Sequence, residues 1–420
     1  MTEKHKNHFF YGWIIVLSCI LLSASSTGLL SYFNALFVAP VTESLGVGRA
    51  SFMVYSTCST VTTMLLMPFI GGLFKKYSLK LLIIAGAVLG GCAHFCYSIS
   101  NHVYGFYFGG FLAGTAICLY GSIPMTMLLA NWFNDKRGFV TGIAFTGSGL
   151  VSSLFSPVIA NIISRYGWRT GYRVIAISIL VTTLLNVFLL IKVKPSDLGQ
   201  EPLGGPPKGV SKKGEAVGFS RAQLLKMPVF WIFAFAIFAM GMVTMGTQHQ
   251  LVAYWTGVGS ASEAARLYSL VMFTGIFAKI FLGGIFDKFG VKPASAICCS
   301  IAALALISLI FLIDGPVMII PALLFGMTTA VQVMSSTYLT NKFFGEKEYS
   351  SNFGLINTML FLGVSIGVPF SGFIFDTTGT YKAAWAVYAG IMILVMFALF
   401  TADTLSQKAF KEILGVERKR

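Results

Sequence analysis

Apolar stretches of about 20 residues recur from one end of this 420-residue chain to the other. The hydrocarbon core of a bilayer is about 30 Å thick and a helix rises about 1.5 Å per residue, so each stretch is long enough to cross it. Within that core no water can satisfy a backbone N–H or C=O, and a helix meets the demand inside each segment. Only 11% of the residues are charged, against roughly 25% in a soluble domain. The chain is therefore an all-α, polytopic membrane protein. Twelve spans can be placed, at 13–37, 51–73, 80–99, 103–130, 138–164, 173–193, 229–256, 263–286, 293–313, 316–341, 351–375 and 383–403. The first is long enough to span and lacks a cleavage-like end, so it reads as a retained helix rather than a signal.

Twelve spans put both termini on one side. That side collects 23 of the 30 Lys and Arg, the other side six, and Lys279 lies within a span. The bias predicts cytoplasmic termini and a multi-pass protein of the inner (plasma) membrane. It also accounts for the net charge of +15, so the charge is no nucleic-acid footprint. All seven cysteines fall within spans and form no metal-ligand set with histidine, and they read as small packing residues. No paired carboxylates or nucleophile constellation suggest an enzyme. Nothing calls for a cofactor, a metal, a catalytic residue or an obligate protein partner.

The chain repeats itself. GGLFKKYSLK at 71–80 returns as GGIFDKFGVK at 283–292, an offset of 212 positions. The same offset links Gly142 to Gly354, Pro157 to Pro369 and Gly167 to Gly379. An even number of spans separates the copies, so the two six-helix halves are parallel and pseudo-symmetric. The expected organisation is an N-terminal half at 1–193, a polar, basic, Pro/Gly-rich linker at 194–228 and a C-terminal half at 229–420. The linker ends in a capping-box pattern, Ser220 to Gln223. Two parallel halves around a midplane site is the plan of alternating-access carriers.

Lys279 is the only charge near the middle of a span. A mid-helix Lys costs about 2.5–3.5 kcal/mol on insertion scales, which makes it a functional-site hypothesis. The alternative is a side chain that snorkels to the interface, but Asp287, at the nearer span end, is about 12 Å away along the helix. All 15 Asp and Glu fall in loops, tails or span ends, so a substrate carboxylate is the expected counter-charge. The hydroxyl-rich run SASSTGLLSYFN in span one serves helix approach or lines a path.

Residues 283–292 match the loop motif of the major facilitator superfamily, Gly-x-x-x-Asp-Arg/Lys-x-Gly-x-Arg/Lys, in full. WFNDKRG at 132–138, GIAFTGSG at 142–149, RYGWR at 165–169, MPVFW at 227–231, NFGLIN at 352–357 and FDTTGTY at 375–381 add a narrower resemblance, to monocarboxylate transporters and oxalate/formate antiporters. It covers essentially the whole chain. The Gly-Pro-Gly motif of drug/proton antiporters is missing from span five. The resemblance implies a secondary transporter of lactate- or pyruvate-like monocarboxylates, moving the anion together with a proton; the alternative is anion exchange of the oxalate/formate type. It also implies a gating set: Gly283, Asp287, Lys288, Gly290 and Lys292, with Lys136 and Arg137. The N-half copy has Lys75 for the Asp and Ser78 for the Gly, which puts its latch in question.

Lys279 stands where this branch holds a basic residue, usually Arg, that pairs with the substrate carboxylate. Animal carriers place an Asp one turn earlier, where this chain has Gly275. Oxalate carriers hold a second Lys in span eleven, where this chain has Leu360, so one cation suits one carboxylate. Lys, unlike Arg, can release a proton when buried, which would make Lys279 both ligand and proton carrier. His249 is the second candidate for proton relay or carboxylate binding, with a structural histidine as the alternative. Tyr120, whose buried hydroxyl needs a partner, and its repeat mate Gln332 are further binding candidates, followed by Leu29, Tyr32, Phe145 and Asn357. The expected partners are a monocarboxylate anion, a proton and the lipid bilayer. A membrane sensor on the same scaffold is the competing class, but no signalling domain accompanies the spans.

Overall fold

The computed structural model describes residues 10–204, 218–259, 261–311 and 315–414. The basic arm before Phe10, the middle of the joining segment and the last basic residues of the tail lie outside the described residues. Among those described, 12 helices are long and apolar enough to cross a membrane. They are α1 (Gly12–Tyr32), α2 (Ser51–Lys76), α3 (Leu79–Ile99), α4 (Val103–Trp132), α5 (Arg137–Tyr166), α6 (Trp168–Leu190), α7 (Pro228–Gln248), α8 (Arg266–Phe289), α9 (Val291–Phe311), α10 (Gly315–Phe344), α11 (Tyr349–Thr378) and α12 (Lys382–Glu412).

Several expected boundaries move. The α1 helix widens into a π-helix over Ala24–Tyr32, and a separate helix, Asn34–Leu45, replaces the rest of the expected 13–37 span. The hydroxyl run is the local cause. Ser25 hydrogen-bonds across to Thr183 at 2.8 Å, and Gly28 lies so close to α5 that a Cβ on it would meet the Val151 side chain and the Ser148 backbone. Span seven stops at Gln248, where consecutive polar residues end the apolar face, and Leu251–Val258 forms its own helix. The α6 helix starts earlier, at Trp168, where Arg169 covers the Trp168 ring at 4.1 Å and donates to the Asn101 side chain at 2.7 Å.

The repeat is geometric as well as sequential. Lys136 and Glu348 precede α5 and α11, both in the left-handed region at φ 56°. Gly167 and Gly379 close the same two helices at φ 81° and 70°, and each helix carries its proline, Pro157 or Pro369. In the first half α4 packs on α2 and α3, α3 on α6, and α1 on α5. In the second, α7 packs on α11 and α12, α8 on α10, and α9 on α10 and α12. Two seams join the halves, α5 on α8 and α2 on α11, and the 212-residue offset exchanges one for the other.

Both seams are backbone against backbone. A Cβ on Gly138 would fall on the Gly283 carbonyl, one on Gly283 on the Gly138 carbonyl, and one on Gly142 on the Lys279 carbonyl. In the other seam a Cβ on Gly71 would fall on the Ser351 backbone and one on Gly354 on the Met67 carbonyl. Met67 is the repeat mate of Lys279. Each seam then ends in charged contacts at the face carrying the two motif loops. Asp287 accepts the Gly138 N–H at 3.1 Å and the Phe139 N–H at 2.9 Å, capping the positive end of α5. In place of the expected weak point, Lys75 pairs with Glu348 at 2.8 Å. Arg137 crosses between the halves to Glu346 at 2.7 Å and to the Asn341 side chain at 3.3 Å. Gly290, at φ 77°, turns the chain from α8 into α9. Lys288 lies over the Phe289 ring at 5.4 Å, and Lys136 and Lys292 are exposed. This face of the bundle is closed.

The linker is pinned at both ends. Leu203 bridges Phe133 beside α4, and Gly218 bridges Gly345 before α11.

The paired glycines of the two loops give an internally controlled prediction. A Cβ at Gly71 or Gly283 meets backbone across a seam, whereas Gly72 and Gly284 have open space around them. Gly71→Ala and Gly283→Ala should each lose about 1–3 kcal/mol of stability and lower the unfolding temperature. Gly72→Ala and Gly284→Ala should leave it unchanged or slightly raised in the same thermal-unfolding assay in detergent.

Candidate functional site

Beyond the closed seams, toward the opposite end, the halves diverge around a cavity of about 790 Å³. On α8, residues Tyr268, Met272, Gly275, Ile276 and Lys279 face it, three or four residues apart, as one side of a helix must be. On α5 the wall runs from Phe145 through Gly149 and Ser152 to Ser156, toward the end opposite the motif loops. Asn357, Leu360, Phe361 and Val364 form the α11 side.

Lys279 sits where the α5–α8 seam closes and is 8% exposed. Its ammonium donates to the Phe145 carbonyl at 3.2 Å. No ion pair among the described residues includes it. Its repeat mate Met67 also lines the cavity, so the two-fold frame carries its cation on one side only. Gly275 packs against α10, where an added Cβ would come within 2.7 Å of the Thr329 hydroxyl. A side chain there would have to displace the Thr329 hydroxyl, and this chain holds no acid beside Lys279.

The walls differ. The first half contributes hydroxyls, among them Ser26, Thr27, Ser31, Ser122 and Ser152. The second contributes Lys279, Gln248, Gln332 and Asn357 together with an apolar strip of Met245, Ile276, Leu360, Phe361 and Val364. Three helices lose regular α geometry at this wall: α1 in its π-helical stretch, α4 at Gly121 and α10 in the π-helical stretch Ser335–Leu339. Irregular backbone at membrane depth is tolerated where it lines a cavity, and π-helical turns gather at functional sites.

Of the residues expected at the site, Lys279, Gln332, Asn357, Tyr32 and Phe145 line the cavity together. Tyr120, His249 and Leu29 are not brought to it. Tyr120 is fully buried against Gly86 and Gly90 of α3, and its hydroxyl donates to the Ser25 carbonyl at 3.3 Å. It braces the π-helical turn of α1. His249 is exposed just past the end of α7, because that helix stops one residue earlier, and Gln248 takes the cavity-facing position. Leu29 is buried in the core.

The named binding candidates left out Gln248, Tyr268 and Thr329, while Ser26 belongs to the hydroxyl run expected to serve helix approach or line a path. Helical turns counted from Lys279 toward the start of α8 reach Gly275, Met272 and Tyr268, so the last of these was within reach of periodicity. Ser26 is buried, and its hydroxyl has no hydrogen-bond partner among the described residues. No group of His, Cys, Asp and Glu among the described residues is arranged to hold a metal.

The family model described as Major Facilitator Superfamily matches residues 16–316 and 256–416. Monocarboxylate transporter 12 of Rattus norvegicus is 22% identical over 91% of this chain and 83% of its own length. Monocarboxylate transporter 1 of the same species is 24% identical over 83% and 76%. Among solved structures, the transporter FucP in the outward conformation aligns with a TM-score of 0.70 at 15% identity, covering 92% of this chain and 97% of its own. The human organic anion transporter MFSD10 aligns at 0.69 and 13% identity, covering 92% and 98%.

A buried cation held by one carbonyl contributes little to the fold, and replacing buried charge with an apolar group of similar volume is often neutral or stabilising. Lys279→Met should leave the unfolding temperature of the purified protein unchanged or raised. A fall of several degrees would mean that the ammonium holds the seam together rather than waiting for a ligand.

Proposed function

The chain belongs to the major facilitator superfamily, and we propose that it carries small monocarboxylates together with a proton by alternating access. Membership makes it a membrane transporter rather than an enzyme. The observation that supports the cargo is Lys279, buried at the seam, lining the cavity and outside every ion pair among the described residues. A desolvated cation needs an anion, and a carboxylate arriving through the open end supplies one. The similarity to monocarboxylate transporters, at 22–24% identity, supports the same class.

Leu360 lines the wall where a second cation would be needed for a dicarboxylate, so one carboxylate is matched and a second is left unpaired. The anion enters while the motif face is closed and pairs with the Lys279 ammonium. The halves then rock, the far end closes and the glycine seams part. The Lys and Arg bias supports a cytoplasmic motif face in the plasma membrane. Gly275 leaves no acid beside Lys279, and His249 lies outside the cavity, so the amine itself is the simplest proton carrier. An amine can give up its proton in the empty carrier and regain it with the anion. A guanidinium cannot. Anion exchange is the second reading, favoured if Lys279 stays charged, because an empty carrier with an unpaired cation returns slowly.

Three measurements in proteoliposomes separate these readings. Lys279→Gln should abolish lactate uptake. Lys279→Arg should keep exchange of bound anion but lose accumulation driven by a pH gradient. Accumulation in the wild type that ignores the gradient would leave exchange as the mechanism.

Cargo chemistry is checked by competition. Oxalate should compete poorly with lactate. Among linear monocarboxylates, affinity should rise about two- to fourfold per added methylene as the chain covers Leu360, Phe361 and Val364. Leu360→Ser should flatten that series without removing the need for a carboxylate.

A further inference from the structure

We propose that the two seams are latched with opposite polarity, one by a carboxylate that caps a helix start and the other by a lysine–glutamate pair, so that giving the N-half loop the acid its motif lacks would open the carrier instead of repairing it. The 212-residue offset carries Lys75 onto Asp287 and Lys136 onto Glu348. The sign is reversed at both positions. In one seam the loop residue is Asp287 and the residue heading the helix is Lys136. In the other the loop residue is Lys75 and the heading residue is Glu348.

The backbone at the two sites is the same. Lys136 and Glu348 both stand immediately before their helices, α5 and α11, at φ 56°. The start of a helix carries about half a positive charge. Asp287 complements it directly, accepting the N–H groups of Gly138 and Phe139. Lys75, placed equivalently before α11, faces charge of its own sign and would be driven away. Glu348 reverses that repulsion. One carboxylate oxygen takes the Lys75 ammonium at 2.8 Å. The other accepts the Arg221 N–H at 2.9 Å, and the Arg221 guanidinium donates to the Pro68 carbonyl of α2 at 2.8 Å. Glu348 therefore gathers α2, α11 and the end of the linker at one point. Its carboxyl is held below its ordinary range, first by Lys75 and then by the Arg221 N–H. The pair is half-exposed on the lysine side, so salt will weaken it, and reversed charge will read out more strongly than removed charge.

The test follows the width of the motif face directly and does not depend on the cargo. Spin labels are placed at the exposed positions Tyr77 and Pro293, one in each half, in full-length protein freed of its seven native cysteines and held in lipid nanodiscs. Lys75→Asp and Glu348→Lys, alone, each set like charges against one another. Each should shift the distance population toward longer, open values at low salt. Lys75→Asp with Glu348→Lys gives this seam the polarity the other already has, and should restore the wild-type distribution. Lys75→Gln should shift less than Lys75→Asp. Single reversals that leave the distances unchanged would overturn the proposal. So would a double variant as open as the singles, or a Lys75→Gln shift as large as that of Lys75→Asp. If a single reversal does not fold, recovery of folded, closed protein in the double variant supports the proposal, and a double variant that also fails to fold overturns it.

Discussion

Backbone-to-backbone approach at the two seams is the constraint on which the rest of the structure depends. A membrane offers helices no hydrophobic drive to associate with one another, so contact must come from close packing and hydrogen bonds. Glycine at 71, 138, 142, 283 and 354 removes the side chains that would keep α2 from α11 and α5 from α8. The approach at Gly142 and Gly138 brings Lys279 under the Phe145 carbonyl and sets Asp287 against the first N–H groups of α5. The binding cation and the charged latch are thus two levels of one interface. Movement that parts the seam must disturb both.

The cavity is a two-fold frame used asymmetrically. Met67 and Lys279 occupy equivalent places, and both have a glycine of the opposite half against their carbonyls. Only one carries charge. The repeat supplies the hinge-like symmetry that alternating access needs, while divergence at single positions supplies recognition. The walls diverge in the same way, the first half contributing hydroxyls and the second the cation and its amides.

Much of the architecture was legible because membrane folding leaves so strong a trace in composition. Span number and the 212-residue repeat follow from apolar runs and matched glycines. Lys279 stood out because a charge in hydrocarbon is costly enough to need a reason. The misplaced residues fail for identifiable causes. Tyr120 is the right type at the right depth, but which face of α4 meets α3 depends on the packing of Gly86 and Gly90. His249 was placed by extending span seven through its polar end. The N-half latch could not be read from its loop, because the compensating charge, Glu348, comes from a loop far away in the chain. Pairing across halves is invisible to a motif that describes one half at a time.

The reversed signs at Lys75, Lys136, Asp287 and Glu348 bear on how the chain assembles. Two first halves brought together would set Lys75 of each against Lys136 of the other, positive on positive. Two second halves would set Asp287 against Glu348, negative on negative. Only a first half meeting a second half satisfies both seams. During synthesis the first half precedes the second. The sign pattern would disfavour pairing of like halves and favour the seam with the half still to come.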